Sequence, residues 1–153
     1  MSHNYRIKLE WTGNQGNGTA GYDLYSRNHK VSVENKPELL LTSDPAFRGD
    51  KTRYNPEELL LISLSSCHML WYLHLCADAN VVITSYIDYA EGKMEIYSDG
   101  SGKFTEVVLK PEISLLNPSL EAKAIELHEI AHQKCFIANS VNFPVKHRAS
   151  FNI

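Results

Sequence analysis

The sequence predicts an α+β fold of order βββ-α-ββ-α-β, one domain over residues 1–153. Three observations carry that reading. Segments near the N-terminus, in the middle and at the C-terminus alternate apolar and polar residues, the two-residue period of half-buried strands. Two other segments open on the same signal, Asn55-Pro56 and Asn117-Pro118, with asparagine as N-cap and proline at the first helical position. Finally, 153 residues with 43 % hydrophobic and 22 % charged side chains suffice for a core without cross-links.

The elements follow in order. Residues 5–11 alternate without a fault and read as the first strand. Residues 13–18 are a glycine-rich loop, and residues 20–26 return as a second strand with Tyr22 and Leu24 on one face. Residues 29–34 read as a third. Residues 35–54 show no clean period, only Pro37, Pro45, Gly49 and a short Leu39-Leu40-Leu41 run. A loop of that length is uncommon in a compact domain and is more often functional than idle.

The first helix runs from Pro56 to about Ala79. Glu57 and Glu58 occupy the first turn, where the helix dipole favours carboxylates, and Glu58 can complete a capping box with Asn55. The segment is apolar on nearly every face, so it is expected at the centre, covered by sheet or by another subunit. Residues 81–97 and 103–116 read as two long strands joined at residues 98–102, with a bulge at Gly92. The second helix carries Leu120, Ala124, Leu127, Ala131 and Cys135. Residues 145–153 alternate and close the chain as a strand.

A net charge of −3 gives no electrostatic case for nucleic acid or for an anionic membrane surface. The first residues lack the apolar core of a signal peptide, and no stretch of about 18 apolar residues is expected to span a bilayer. Three cysteines, an odd number, argue against a structural disulfide framework. The expectation is a cytoplasmic protein in which any disulfide is transient and chemical.

Cys67 shares a helix face with Leu60, Ser63, Leu70, Trp71 and His74 at 100° per residue. Cys76 lies nine residues on, about 180° round, and reads as a structural thiol. A mid-helix thiol in apolar surroundings is inert unless a cation reaches it. The nearby supply is Arg48, Lys51 and Arg53, all in the long loop before the helix. Of the two arginines Arg48 is preferred, between Phe47 as an apolar anchor and Gly49 as a hinge; Arg53 is the alternative. Glu57 can hold that arginine by a bidentate pair or simply serve the helix dipole. On a straight helix it cannot touch Cys67, since ten residues rise about 15 Å. A competing motif is His128-Glu129-Ile130-Ala131-His132, the H-E-x-x-H pattern of zinc hydrolases. It lacks an evident third ligand, so this reading is remote, and no metal is expected.

Asn55-Pro56-Glu57-Glu58-Leu59-Leu60, followed by Ser63-Leu64-Ser65-Ser66-Cys67, resembles the N-P-E-E-L helix of the OsmC/Ohr family of thiol peroxidases. Ala131-His132-Gln133-Lys134-Cys135 resembles the end of that family's second helix. The element order resembles the family over the whole chain. Phe136 stands where the family usually has proline, His68 where an aromatic often follows the first cysteine, and the N-terminal Gly-Gly-Arg of Ohr-type members is absent. The chain therefore looks nearer the OsmC side. The resemblance implies two central helices against antiparallel sheets in an intertwined homodimer. It makes Cys67 the peroxidatic thiol, Cys135 the resolving thiol and Glu57 the partner of a catalytic arginine. It also implies a hydroperoxide substrate, an external dithiol reductant and no cofactor. The alternative within the fold is a non-catalytic redox sensor or a binder of small apolar ligands.

Overall fold

Helix α1 (Pro56–Asp78) begins where its cap was expected. Asn55 Oδ1 accepts a hydrogen bond from the Glu58 N–H at 2.8 Å, and Glu58 Oε2 accepts from the Asn55 N–H at 3.1 Å. This reciprocal box satisfies two otherwise orphaned donors, and a cap of this kind contributes about 1 kcal/mol. The computed structural model describes residues 1–152; Ile153, expected at the end of the last strand, lies outside the described residues. The chain divides into two compact units, Met1–Leu60 and Leu61–Ile153.

In the first unit β1 (Lys8–Trp11), β2 (His29–Ser32) and β3 (Leu39–Leu41) form an antiparallel sheet in that order. The strand expected over residues 20–26 does not form. The Arg27 guanidinium sits 4.2 Å from the ring centroids of both Tyr22 and Tyr25 and donates to the carbonyls of both at 2.7 Å. Those contacts fold the segment back on itself, leaving one isolated bridge between Asn14 and Tyr25. The third strand comes instead from the leucine run inside the supposed loop.

The rest of that loop is built, not slack. Asp44 Oδ1 caps a 3-10 turn, Pro45–Phe47, by accepting from the Ala46 N–H at 2.7 Å. Arg48 follows in the left-handed region (φ 66°), uncommon for a residue with a side chain. At Gly49 a Cβ would lie 1.7 Å from the Ser43 carbonyl oxygen. Gly49 thus permits a close backbone approach and is not a hinge. Phe47 is 39 % exposed, so it is not the apolar anchor expected from the sequence.

The second unit holds β4 (Ile83–Asp88), β5 (Glu91–Ile96), β6 (Gly102–Leu109), β7 (Pro111–Leu115), helix α2 (Glu121–Lys134), β8 (Val145–His147) and β9 (Ser150–Asn152). They form two three-stranded sheets, β4-β7-β9 and β5-β6-β8, in which β9 runs parallel to β7 and β8 parallel to β6. Each long strand read from the sequence is therefore two strands that pass from one sheet to the other. Asp88 secures the crossing by accepting from the Lys110 N–H and the Ser65 hydroxyl. At Gly92 a Cβ would meet the Phe104 ring at 2.7 Å, and the register irregularity falls one residue on, between Lys93 and Met94.

The core of this unit joins Tyr72 and Cys76 of α1 to Val81, Ile113 and α2's Ala124, Leu127 and Ala131. Cys76, 1 % exposed, is a packing residue as expected. Helix α1 buries one stripe only, Leu64, His68, Tyr72 and Cys76 at four-residue spacing. Ile62 and Leu70 remain 49 % and 61 % exposed. Contrary to the expectation from the sequence, α1 is long and apolar enough to cross a membrane by length and composition. Residues 59–77 carry no Asp, Glu, Lys or Arg, because one face packs in the core and another is left apolar and open.

Candidate active site

The two thiols meet. Cys67 lies half-buried in the middle of α1, and Cys135, 1 % exposed, ends α2. They lie close enough for the Cys67 thiol to perturb that of Cys135. Cys135 is not inside the helix, as the sequence suggested, but is its C-cap, with extended backbone (φ −66°, ψ 109°). The Ala138 N–H points at its Sγ, 3.4 Å away. Burial, with the Cys67 sulfur adding to it, pushes the Cys135 thiol up to about 11, despite the opposing Ala138 N–H. Burial therefore favours the neutral thiol at Cys135, whereas Cys67 is the more exposed of the two sulfurs.

Trp71, one turn beyond Cys67, meets Phe136 edge-to-face at 5.6 Å between centroids, and Lys134 Nζ lies 5.2 Å from the Trp71 ring. The residue that departs from the expected proline thus lengthens an aromatic surface on the α1 face that carries Cys67.

Glu57, Arg48 and Arg53 belong to the first unit. One Glu57 carboxylate oxygen is buried with no hydrogen-bond partner among the described residues. Arg53 faces Asp50 at 3.6 Å. Arg48 is exposed. The structure brings neither arginine into an ion pair with Glu57.

The H-E-x-x-H residues are used differently. His128 Nδ1 is 3.0 Å from His68 Nε2, its ring stacks on Tyr72 at 3.7 Å, and Glu129 turns outward to His147 at 3.4 Å. Among the described residues no group of three or more His, Cys, Asp or Glu side chains is arranged to hold a metal ion. Sequence reasoning missed His147 altogether. Its signal was present: alternation puts it on the same strand face as Val145, Ala149 and Phe151, an inward face by the pattern of half-burial.

Two helices against antiparallel and mixed sheets, with a thiol from each helix meeting, define an OsmC-type α+β protein. The family model for OsmC-like proteins matches residues 49–150, and the chain belongs to that family. Among solved structures it is similar to an OsmC-like protein of unknown function from Vibrio cholerae, with 28 % identity and a TM-score of 0.86 over 97 % of this chain and 100 % of that one. An organic hydroperoxide resistance protein from Elizabethkingia anophelis shares the fold at 24 % identity and TM-score 0.72, over 99 % and 100 %. An organic hydroperoxide resistance protein OsmC from Legionella pneumophila does so at 19 % and 0.69, also over 99 % and 100 %. No curated protein matches the sequence.

Proposed function

We propose that the protein is a cysteine-based peroxidase that reduces organic hydroperoxides. The approach of Cys67, half-buried on α1, to Cys135 at the end of α2 carries this reading. Two of the similar structures bear the name of organic hydroperoxide resistance proteins, in line with it. In the proposed cycle the Cys67 thiolate attacks the distal oxygen of the hydroperoxide. The O–O bond breaks, the distal OH stays on sulfur, and the alkoxide leaves as the alcohol by taking up, from solvent, the proton that Cys67 released on ionising. The sulfenic acid left on Cys67 is attacked by Cys135, which forms a disulfide and releases water. An external dithiol then reduces the disulfide by exchange through a mixed disulfide. The aromatic edge of Trp71 and Phe136 suits an organic substrate. Stopped-flow measurement of thiol oxidation with a panel of hydroperoxides tests the reading; no reaction faster than that of a free thiol overturns it.

Arg48 supplies the positive charge in this proposal, and Arg53, already facing Asp50, is the weaker alternative. Its left-handed backbone agrees with a functional position, since strained backbone concentrates at such sites. Arg48→Met is expected to slow peroxide attack by about two orders of magnitude, the size of effect seen when a preorganised donor is removed. Lysine should rescue only part, lacking the planar fork. A parental rate in Arg48→Met together with a loss in Arg53→Met transfers the role.

The proposed working form is a homodimer. The open face of α1 and the Leu9–Trp11 face of β1, 58 % and 41 % exposed at those residues, are apolar surfaces that a second copy would cover. Sedimentation equilibrium should return twice the chain mass. A monomer mass independent of concentration would contradict it.

A further inference from the structure

Four histidines gather where α1, α2 and β8 come together. His68 and His128 are each 1 % exposed, and their rings lie within 6° of one plane with Nε2 of the first 3.0 Å from Nδ1 of the second. That is an in-plane imidazole–imidazole hydrogen bond, one ring donating N–H and the other accepting. His147 lies 5.4 Å from the His68 ring and 5.6 Å from the His128 ring, and His132 is 5.7 Å from His147. Below, Tyr72 stacks on His128. The outer nitrogens, His68 Nδ1 and His128 Nε2, are buried without hydrogen-bond partners among the described residues. A pair of large polar rings so placed costs more than an apolar pair would. The bond between them is directional, as an apolar contact is not.

His68 adjoins Cys67 on α1. His128 stands on α2, the helix that ends at Cys135. The bond therefore ties together the two helices that present the thiols. We propose that the His68–His128 hydrogen bond fixes α1 against α2 and so holds Cys135 Sγ within reach of Cys67. Both histidines are positioning residues for disulfide formation. This rests on the disulfide step of the proposed cycle but not on the identity of the oxidant.

The test uses the whole protein and diamide, which takes two electrons and two protons from the thiol pair and becomes the hydrazine. The rate of Cys67–Cys135 disulfide formation is read by mass spectrometry, and the disulfide equilibrium is read in glutathione buffers. His68→Leu is expected to form the disulfide about tenfold more slowly and to shift its equilibrium about tenfold toward the thiols, the scale of one net hydrogen bond. For a two-electron couple that is about 30 mV. His128→Leu should match it, and the double variant should be no worse than either single one. His68→Gln, whose amide reaches the Nε2 position, should restore both readings, whereas the shorter His68→Asn should not. A folded His68→Leu protein with parental rate and equilibrium overturns the proposal. If that variant fails to fold, the Gln–Asn comparison decides, and equal values for the two overturn it. Thiols that oxidise normally with diamide but ignore hydroperoxides would overturn the peroxidase reading alone.

Discussion

Cys67→Ser is expected to abolish hydroperoxide consumption, and Cys135→Ser to consume about one equivalent and then stall as a sulfenic acid that dimedone traps. The asymmetry is the expected result of the two environments. Cys135 is 1 % exposed and held as a thiol by burial. It is thus a poor nucleophile toward peroxide, and in the proposed cycle it reacts only in the second step, where its place beside Cys67 lets it attack the sulfenic acid formed there. The remaining thiol, Cys76, is buried in the core, and its own burial raises its pKa, so it does not substitute. The measurement is oxygen-to-thiol stoichiometry in single-turnover peroxide assays, with the trapped adduct located by mass spectrometry. Turnover by Cys67→Ser at the parental rate would end the cycle proposed above.

The second large effect concerns acid. A free histidine takes up its proton near pH 6.5, whereas burial lowers His68 to about 4 and His128 to about 3, with His147 and the other nearby ring charge acting in the same sense. Between those values the unfolded chain binds protons that the native chain refuses. Stability is therefore full above about pH 6.5 and falls as pH drops toward the folded values. Linkage puts the loss between pH 7.5 and pH 5 at about 2 kcal/mol for each ring, about 4 kcal/mol together. That is a large part of a typical 5–15 kcal/mol total. Urea unfolding at the two pH values measures it. The double variant His68→Gln, His128→Asn should lose most of the difference. An unchanged difference would show that other groups carry the acid sensitivity.

Local chemistry was legible in the sequence, and long-range chemistry was not. Asn55, Pro56 and Glu58 announce the start of α1 because a cap is a contact over three residues. Asn117 caps a 3-10 turn, Pro118–Leu120, and α2 proper begins one turn later. The expected strand at residues 20–26 failed because Arg27 braces Tyr22 and Tyr25, a contact that alternation cannot show. The breaks near Tyr89 and Lys110 are invisible for a related reason: the period of two is the same in either sheet. In the candidate site, Cys67 and Cys135 were singled out together through the family resemblance, since helix periodicity alone does not pair them. The pairing of His68 with His128, 60 positions apart, needs the packed helices to exist first. The H-E-x-x-H pattern drew attention to His128 for the wrong partner.

The place of Cys135 at the end of α2 has a consequence for signalling. Cys67 is fixed mid-helix by hydrogen bonds on both sides. Cys135 stands past the last α-helical residue, in extended backbone, followed by a short turn in which its carbonyl accepts from the Asn139 N–H at 3.0 Å. A disulfide can thus close by rotation at one capping residue, without unwinding a turn of either helix. A disulfide closed in that way would leave the packing of both helices, and so the surface they present, nearly unchanged. A redox sensor requires the opposite, an element with two distinct packings that oxidation tips from one to the other. In the proposed cycle a thiol pair placed in this way suits turnover of substrate better than the relay of a signal.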